Sequence, residues 1–316
     1  MTMEKDKNEM RKVYCELLMK TAETDPRIVV LEADLMASNG TKPFAAAYPE
    51  RTFDVGIAEA NMIGVAAGLA ASGKLPFCDT FTPFATRRCY DQITVSAAYT
   101  NLPLRIVGTD PGLAAEVNGG THMSMEDVAI MRSMPNMKVF EPVDETQLRA
   151  AWDWILSVDG PLYIRIFRKN APKIFGEGYV FEPGKLSVIR EGGDAAIFAA
   201  GLAVADAVEA SGLLAAEGID AAVLNVHTLK PLDKEGILFW AKKCGAAVTC
   251  ENGTVVGGLG SAVTETTADA FPIPVKRIGV QDHFGEVGTM PYLKEKYGMT
   301  AKDIAEAVKA AIALKK

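Results

Sequence analysis

The sequence is poor in the features that mark several large classes of protein. Its five cysteines form no CxxC pair and follow no regular spacing, so they predict neither a zinc site nor a disulfide framework. Acidic residues outnumber basic ones by 40 to 33, which removes the basic footprint of a nucleic-acid binder. No apolar run approaches the ~20 residues that span a bilayer, and the first residues lack the apolar segment of a secretory signal. These absences predict a cytoplasmic protein with reduced thiols that binds neither nucleic acid nor a membrane.

Aromatic residues are also scarce, at 8% of the chain, although hydrophobic residues make up 49%. The apolar content is rich in alanine instead, and the chain holds 28 glycines. Small residues let helices pack closely or bring backbone against a ligand. The length of 316 residues suits two domains with sizeable cores.

Short β-branched runs alternate with alanine-rich helical stretches along the chain. The predicted strands are Arg27–Glu32, Leu104–Gly108, Lys138–Glu141, Leu162–Phe167, Ala195–Ala199, Ala221–Val226, Ala246–Cys250 and Val275–Val280. The predicted helices are Glu9–Thr24, Ile57–Ser72, Glu145–Val158, Val204–Glu217, Lys234–Lys243, Ser261–Phe271 and Ala301–Ala313. This alternation predicts an α/β protein with mainly parallel sheets flanked by helices.

The glycine- and proline-rich stretch Gly176–Gly193 has no strong helical periodicity. It predicts a linker that could contain an edge strand. We therefore expect one domain over residues 1–180 and a second over 181–316. In such sheets ligands bind at the carboxyl ends of strands, so the residues that follow each strand are the first candidates for a site.

Glu59 is the single acid in a stretch of Ala, Gly, Met, Ile and Val. Gly64, Ala67, Gly68 and Ala71 form a stripe of small residues along the same predicted helix, which lets another backbone approach closely. A desolvated carboxyl near a helix start has a tunable charge state and suits acid–base chemistry or hydrogen bonding. The alternative is an exposed first-turn Glu that only supports the helix dipole.

Two phenylalanines, Phe81 and Phe84, flank a proline at a spacing that could present both rings to a flat heteroaromatic ligand. Core packing is the alternative explanation. Of the three histidines, His122 lies beside Asn118 in a glycine-rich stretch that predicts a loop near a ligand. His227 and His283 also follow predicted strands, and no two histidines have the spacing of metal ligands.

Three residues distant in sequence stand where each could hold an anion. Arg168 follows a predicted strand, Ser38 lies in a loop after another, and Arg11 belongs to the first helix. Guanidinium groups are natural clamps for a sugar phosphate, although each residue alone could equally be an ordinary surface residue. The glycine-rich segment Val256–Ser261 resembles an anion-binding turn, and tight helix packing explains it equally well.

Taken together, these segments resemble the C-terminal half of transketolase, in the form in which that half is a separate polypeptide. The motifs that carry the resemblance are MRKVY, LEADLMASN, FDVGIAEANMIGVAAGLAASG, TFTPF, NGGTHMSMEDVAIMRSMPNMKVFEPVD, RIFRKN and ENGTVVGGLGSAV. They cover nearly the whole chain in the family's order and spacing. The resemblance implies a pyrimidine-binding domain followed by a transketolase C-terminal domain, both parts of a thiamine-diphosphate enzyme.

The resemblance implies roles at the cofactor. Glu59 falls on the family's catalytic acid, which hydrogen-bonds the aminopyrimidine of thiamine diphosphate and promotes proton loss from the thiazolium carbon. Phe81 and Phe84 fall on the pocket that stacks against the ring, and Asp34 lies in a loop near the cofactor. Arg87 also falls at this pocket, where the family usually has Tyr.

It also implies roles at the substrate. The family transfers a two-carbon ketol unit from a ketose phosphate to an aldose phosphate, and His122 matches a catalytic contact to a substrate hydroxyl. Arg11, Ser38 and Arg168 match the phosphate clamp at the mouth of the channel. Asn118 falls where the family has an Asp that reads the configuration of the sugar.

One family motif is missing. Thiamine enzymes hold the diphosphate through Mg²⁺ on a Gly-Asp-Gly motif followed by an Asn, which suits a hard cation bridging phosphates. No Gly-Asp-Gly occurs here. The resemblance therefore implies a partner subunit that carries the diphosphate-binding domain and most of the Mg²⁺ ligands, in an α2β2 heterotetramer with the small-residue helix stripe at the subunit contact.

Other departures surround the sugar. Ala58 and Ala60 flank Glu59 where single-chain transketolases have Arg and His, and Asp110 stands where a His is usual. A non-standard sugar phosphate is therefore an open alternative. The β subunit of a 2-oxo acid dehydrogenase, a deoxyxylulose-phosphate synthase-like enzyme and a catalytically silent regulatory subunit are the rival interpretations.

Overall fold

Two open sheets, each flanked by helices, follow one another along the chain. The structure is a computed structural model and describes residues 3–315. Most strand pairs in both sheets are parallel, which confirms the predicted α/β class. No helix in the described range is long and apolar enough to cross a membrane.

The first sheet has seven strands in the order β10-β5-β6-β4-β3-β1-β2. Six of them come from the first half of the chain: β1 (Ile28–Glu32), β2 (Thr52–Asp54), β3 (Leu75–Phe81), β4 (Arg105–Thr109), β5 (Lys138–Phe140) and β6 (Leu162–Ile166). The four central strands β1, β3, β4 and β6 are buried along their whole length, as expected of parallel strands with helices on both faces.

Helices cover both faces of this sheet. They are α1 (Met10–Ala22), α2 (Met36–Asn39), α3 (Lys42–Ala47), α4 (Glu59–Ala71), α5 (Thr82–Ala85), α6 (Tyr90–Gln92), α7 (Asp127–Ser133), α8 (Glu145–Ala150) and α9 (Trp152–Ser157), with a π-helix at Ile93–Ala98 and 3-10 turns at Pro49–Arg51, Arg87–Cys89 and Gly112–Asn118. Helices α1, α8 and α9 pack in one apolar cluster, and α4 and the π-helix pack in another. The small residues of α4 therefore let it lie close to the sheet.

The second sheet has five strands in the order β12-β11-β8-β9-β7. Its strands are β7 (Ser187–Arg190), β8 (Ala195–Ala199), β9 (Ala221–Asn225), β11 (Ala247–Thr254) and β12 (Val275–Val280). The remaining strand of this half, β10 (Thr228–Lys230), belongs to the first sheet. The helices are α10 (Ala203–Ala216), α11 (Lys234–Cys244), α12 (Leu259–Ala270), α13 (Met290–Lys296) and α14 (Ala301–Ile312).

Several local predictions can be compared with the structure. The short strands β2 and β10 were not predicted from the sequence. Strand β3 lies at the centre of the first sheet although no strand was predicted there. The single helix predicted over 145–158 is two helices that meet at Ala151. The predicted linker contains β7, which is an edge strand, as the alternative interpretation allowed.

The two halves share one core. Strand β10 leaves the second half and pairs antiparallel with β5 at the edge of the first sheet. One apolar cluster contains residues of both sheets, such as Ile106 and Phe198. The domain boundary at 180/181 stays a prediction, since the chain crosses between the two sheets more than once.

Candidate active site

The carboxyl ends of β1, β3, β4 and β6 meet at one edge of the first sheet, where ligands bind in open α/β folds. Asp34, Phe81, Asp110 and Arg168 lie at or just after these four strand ends. Residues that the sequence predicted separately are thus brought to a common edge by topology alone.

Glu59 is the first residue of α4 and is only 2% exposed. Its Oε1 accepts a hydrogen bond from Nη1 of Arg88 at 2.6 Å. The preceding residue, Ala58, occupies the N-cap position and has no side chain that could cap the helix. Glu59 is therefore the acidic side chain nearest to the positive end of the helix dipole. The alternative of an exposed first-turn Glu is therefore wrong.

The rings of Phe81, Phe84 and His122 form one cluster beside Glu59. The centroid of His122 lies 5.2 Å from that of Phe84 and 6.0 Å from that of Phe81, both in edge-on contact. Arg88 links this cluster to the acid, because its guanidinium carbon lies 3.7 Å above the Phe84 ring while its Nη1 binds Glu59. Sequence reasoning selected the three rings and Glu59 but missed Arg88.

The loop that carries His122 is held by the second half of the chain. A Cβ built at Gly119 would lie 2.9 Å from Cγ2 of Val287, and one at Gly120 would overlap the carbonyl oxygen of Gly285. Only glycine admits so close an approach. The loop 281–288 therefore sets the position of the His122 loop.

Arg87 fixes the same loop from the other side. Its Nη2 donates to the carbonyl oxygen of Thr121 at 3.3 Å, and its Nη1 bonds to Glu126 at 2.9 Å. The hydroxyl of Thr121 lies 2.9 Å from Nδ1 of His122. Arg87 thus contacts the loop beneath the ring cluster, which is a positioning contact to His122.

Arg168 lies between the ring cluster and the anion residues. Its guanidinium carbon is 4.7 Å from the centroid of Phe81. Its Nε donates to Oδ2 of Asp110 at 2.5 Å, and its backbone N–H donates to Oδ1 of the same carboxylate at 3.1 Å. Burial raises the pKa of Asp110, and the charge of Arg168 opposes that rise.

The structure brings Arg11 and Ser38 to Arg168. The backbone N–H of Arg11 donates to the carbonyl oxygen of Arg168 at 3.5 Å, and its Nη1 donates to the carbonyl oxygen of Ser38 at 3.0 Å. Nε of Arg11 also bonds to Glu9, and that hydrogen bond lowers the pKa of Glu9. We call Arg11, Ser38 and Arg168 the anion site.

The anion site borders a cleft of about 1350 Å³ between the two halves of the chain, which Arg11 and Lys169 help to line. The ammonium of Lys169 bonds to the carboxylate of Glu116, whose other oxygen accepts the N–H of Met290 at 3.0 Å. Asn118, at the end of the same 3-10 turn as Glu116, is exposed.

Asp34 is also exposed, and its backbone N–H donates to Asp54 at 3.0 Å. Among the described contacts, none joins its side chain to the ring cluster. The structure thus groups Phe81, Phe84 and His122 directly, joins Glu59 to them through Arg88, and leaves Asp34 at the rim of the same sheet edge.

Two buried acids beneath the site escaped sequence reasoning. Glu32 and Asp79 are register partners on β1 and β3, and both are fully buried. Burial raises the pKa of Glu32 well above its ordinary value and that of Asp79 to about 8. Glu32 accepts hydrogen bonds from Asn39 and Thr41, which ties α2 to the sheet. Ser38 lies within α2, whereas the sequence predicted a loop there.

The glycine-rich turn at Val256–Ser261 already has an anion. Both oxygens of Glu251 accept backbone N–H groups at the start of α12, from Leu259 and Gly260, each at 2.8 Å. Burial raises the pKa of Glu251 to about 7, although these bonds oppose it. The resemblance to an anion-binding turn is therefore explained by the chain's own carboxylate.

The other two histidines lie away from the ring cluster. His227 is fully buried against Phe140 and Phe181, and burial lowers its pKa to about 4. His283 is exposed in the loop 281–288. Neither contacts the side chains gathered around Glu59 in the described part of the chain.

Comparison with known proteins agrees with this geometry. Residues 6–173 match the transketolase pyrimidine-binding domain, and residues 184–304 match the transketolase C-terminal domain. The pyrimidine-binding domain family implies thiamine diphosphate as the cofactor, as predicted.

Individual relatives give the same result. The "6-deoxy-6-sulfo-D-fructose transketolase subunit SqwH" of Clostridium sp. (strain MSTE9) is 56% identical over 298 residues, which are 94% of this chain and 92% of that relative. A 1-deoxy-D-xylulose-5-phosphate synthase of Thermomicrobium roseum is 39% identical over 305 residues, 95% of this chain but 48% of the synthase.

Among solved structures, one described as a split-gene transketolase, an inactive β4 tetramer, has a TM-score of 0.90 and 45% sequence identity, over 98% of this chain and 99% of that chain. The predicted resemblance is confirmed by these matches together. This chain belongs to the transketolase family, of which it carries the pyrimidine-binding and C-terminal domains.

Proposed function

We propose that this chain is one subunit of a thiamine-diphosphate-dependent transketolase, and that it transfers a two-carbon ketol unit together with a separate subunit that binds the diphosphate and Mg²⁺. The observation that carries the proposal is the buried carboxylate of Glu59 beside the Phe81, Phe84 and His122 rings. A buried acid that Arg88 joins to a cluster of aromatic rings suits a protonatable heteroaromatic ring.

The donor set fits the pyrimidine end of the cofactor. Glu59 would hydrogen-bond a ring nitrogen and hold or release a proton at Oε2, the oxygen that Arg88 leaves open. Phe81 and Phe84 would pack against the ring, as offset aromatic contacts favour. When bound, thiamine diphosphate supplies the carbanion chemistry that moves a two-carbon unit between sugars.

Residues of this chain would also orient the sugar. His122 stands edge-on to both phenylalanines and would bind a substrate hydroxyl near the reacting carbon. The anion site would hold a charged group at the far end of the sugar, since the backbones of two arginines, Arg11 and Arg168, meet there. The ketose phosphates predicted from the sequence suit this site, and the name of the SqwH relative adds sulfonated ketoses.

A surface beside Glu59 suits a partner subunit. Gly64 and Gly68 lie on the exposed face of α4 with no heavy atom within 4 Å of a Cβ built on either. Nearby apolar side chains are also exposed, among them Ile57, Val95 and Tyr99. An exposed apolar patch of this kind marks a protein interface. We propose that the diphosphate-binding subunit covers it in an α2β2 assembly.

The description of the 45% identical structure as an inactive β4 tetramer supports this division of labour. A chain that assembles with itself would lack the diphosphate-binding domain. Activity would then require that the partner subunit replace copies of this chain at the α4 surface.

The direct test mixes this chain with the proposed partner subunit, thiamine diphosphate and Mg²⁺. Ketol transfer to ribose 5-phosphate is measured with xylulose 5-phosphate and with 6-deoxy-6-sulfo-D-fructose as donors. We expect turnover from the mixture and none from either subunit alone. Full activity from this chain alone, or none from the mixture with any donor, would overturn the proposal.

Glu59→Gln tests the catalytic assignment. It removes the proton-transfer oxygen while keeping the size of the side chain, so we expect turnover to fall by a factor on the order of 10²–10⁴ with assembly unchanged. Glu50→Gln is the matched control, because Glu50 is 69% exposed and, within residues 3–315, forms an ion pair only with Arg51, at 3.6 Å. An active Glu59→Gln enzyme would contradict the mechanism and favour a catalytically silent subunit.

The synthase relative supplies a second candidate, because this chain aligns with half of its length. Supplying the same subunits and cofactors with pyruvate and D-glyceraldehyde 3-phosphate, and measuring 1-deoxy-D-xylulose 5-phosphate together with the CO2 released, distinguishes the two reactions. If that product forms and no ketol transfer is detected, the chain is a synthase-like subunit instead.

A further inference from the structure

The charges around the anion site carry an inference about the substrate. The cations at and beside it already have acids: Arg168 is paired with Asp110, Arg11 with Glu9, and Lys169 with Glu116. Lys12 also pairs with Glu9, at 3.4 Å, so before any ligand binds the four cations and three acids of this group have a formal charge of only +1. A free clamp of three cations would instead offer a strong excess of positive charge to a ligand.

Asp110 is the most firmly fixed of the three acids. Both of its carboxylate oxygens bind Arg168, one at the side chain and one at the backbone. Its own backbone N–H donates to the carbonyl oxygen of Ile166 at 2.9 Å, so β4 and β6 hold it from both sides. Asp110 also has a positive φ of 52°, a conformation that residues other than glycine rarely adopt. These contacts hold its carboxylate beside Arg168.

Arg168 is still able to bind a ligand. Asp110 takes its Nε and its backbone N–H, and no other contact among residues 3–315 uses its two terminal nitrogens. The side chain is 16% exposed and stacks on Phe81, which orients its outer edge. Arg168 thus offers hydrogen-bond donors in a fixed direction, while the carboxylate behind it cancels its charge.

We propose that Asp110 makes the anion site selective for a sugar whose far end carries a single negative charge, such as a sulfonate, over one that ends in a phosphate monoester. Near pH 7 a phosphate monoester carries a charge of about −1.5 to −2, whereas a sulfonate carries one. The second charge of the phosphate would face Asp110 without a cation to balance it, and like charges brought together oppose binding. This inference rests on the proposed function, because it names the substrate class of the same site.

The test compares two donors of equal chain length, 6-deoxy-6-sulfo-D-fructose and D-fructose 6-phosphate, with the assembled enzyme. We expect the native enzyme to have the higher kcat/KM for the sulfonate. The preference should lie in KM, because the charged end is remote from the reacting carbonyl and contributes equally to ground-state and transition-state binding. A native preference for the phosphate would overturn the inference without any variant.

Asp110→Asn sharpens the test. Asn tolerates a positive φ and keeps one oxygen to accept the backbone N–H of Arg168, so the fold should persist. We expect the ratio of kcat/KM for phosphate over sulfonate to rise by roughly tenfold, because the negative charge that opposes the second charge of the phosphate is removed. An unchanged ratio in a folded, active variant would overturn the inference.

Glu16→Gln is the matched control. It also removes one negative charge from the same sheet domain, but Glu16 is 61% exposed and pairs with Arg149 instead of the anion site. The donor ratio should not change. If Glu16→Gln shifts the ratio as much as Asp110→Asn, net charge and not Asp110 sets the preference. If neither donor is turned over by the native enzyme, the proposed function itself fails.

Discussion

Arg165 and Arg168 are three residues apart in the chain, and both are paired with aspartate, yet their surroundings are opposite. Arg165 lies within β6, is 1% exposed and binds Asp127, Glu141 and the carbonyl oxygen of Asn252. Arg168 lies just past the strand, and its side chain hydrogen-bonds to Asp110 and stacks on Phe81. The end of one strand thus separates an arginine that joins the two halves of the chain from an arginine that can bind a ligand.

Electrostatics follows the same division. Burial alone lowers the pKa of Arg165, but the charges of Asp127 and Glu141 outweigh it, so the pKa is raised and the side chain stays charged. Every charge in this buried group is compensated inside the protein. At Arg168 water and ligand still reach the guanidinium, so the same kind of ion pair tunes binding there. Burial, more than the residue types, therefore decides whether an ion pair contributes to stability or to ligand binding.

The strongest test of this difference removes the buried cation. Arg165→Met leaves Asp127 and Glu141 enclosed without a counter-charge, and we expect the free energy of unfolding to fall by about 3–5 kcal/mol. Chemical denaturation of the purified chain measures it. The triple variant Arg165→Met, Asp127→Asn, Glu141→Gln should recover much of the loss, because no charge is then left unpaired. A loss under ~1 kcal/mol in the single variant would contradict the buried role.

A pH titration tests the same junction at His227, whose carbonyl oxygen accepts the N–H of Glu141. Its pKa is about 4 in the folded chain and about 6.5 when unfolded, so below pH 6.5 the unfolded state binds the proton more readily. Stability from this residue is therefore present above pH 6.5 and is lost as the pH falls towards 4. Between pH 6.5 and 5 the native chain should lose ~1.5 kcal/mol more than His227→Gln.

Comparing the two proteins cancels the contributions of the other buried acids. Asp79 and Glu251 have raised pKa values, so they favour the folded state as the pH falls and oppose the His227 trend. Parallel stability curves for the native chain and His227→Gln would show that His227 is already hydrated in the folded state.

The smallest effect on stability is expected at the anion site. Asp110→Asn should lower the free energy of unfolding by only about 1 kcal/mol, since Arg168 keeps contact with water and one hydrogen bond survives. Thermal or chemical unfolding beside Arg165→Met gives the direct comparison. If Asp110→Asn proves as costly as Arg165→Met, then Arg168 is a structural arginine too, and the distinction between the two sites fails.

Local pattern predicted most of the fold. The β-branched run at 27–32 gave β1 at Ile28–Glu32, and the helix predicted at 57–72 is α4 at Glu59–Ala71. Strand β3 was missed because Pro76 and Asp79 lower its strand propensity. In the structure Pro76 lies near the strand start, and Asp79 is stabilised by the hydroxyl of Tyr14 at 3.0 Å. The contact between Tyr14 and Asp79 joins residues distant in sequence, so the residues around Asp79 alone could not predict it.

Sequence analysis found the site residues whose type stands out from their neighbours. It missed the residues whose importance comes from a contact with a residue distant in sequence. Glu59 drew attention as a lone acid in an apolar helix, and its burial confirms that environment. Arg88 carried no such signal, because its value comes from contacting Glu59 and Phe84 at once. The neutralisation of Arg168 by Asp110 likewise joins residues 58 positions apart and depends on the register of β4 and β6.

The close approach of Gly120 to Gly285 has a consequence for how this chain can evolve. The backbone of one loop lies against the backbone of the other at Gly120. The contact therefore limits the volume of the residue at position 120, whatever the chemistry of its side chain. Every substitution away from glycine increases volume, and at Gly120 even one added methyl group overlaps the facing carbonyl. Gly120 can therefore not be replaced in small steps. A lineage that reshapes the His122 loop to accept another sugar would have to remodel the loop 281–288 with it, so changes in specificity should arrive as paired changes in two distant stretches of sequence.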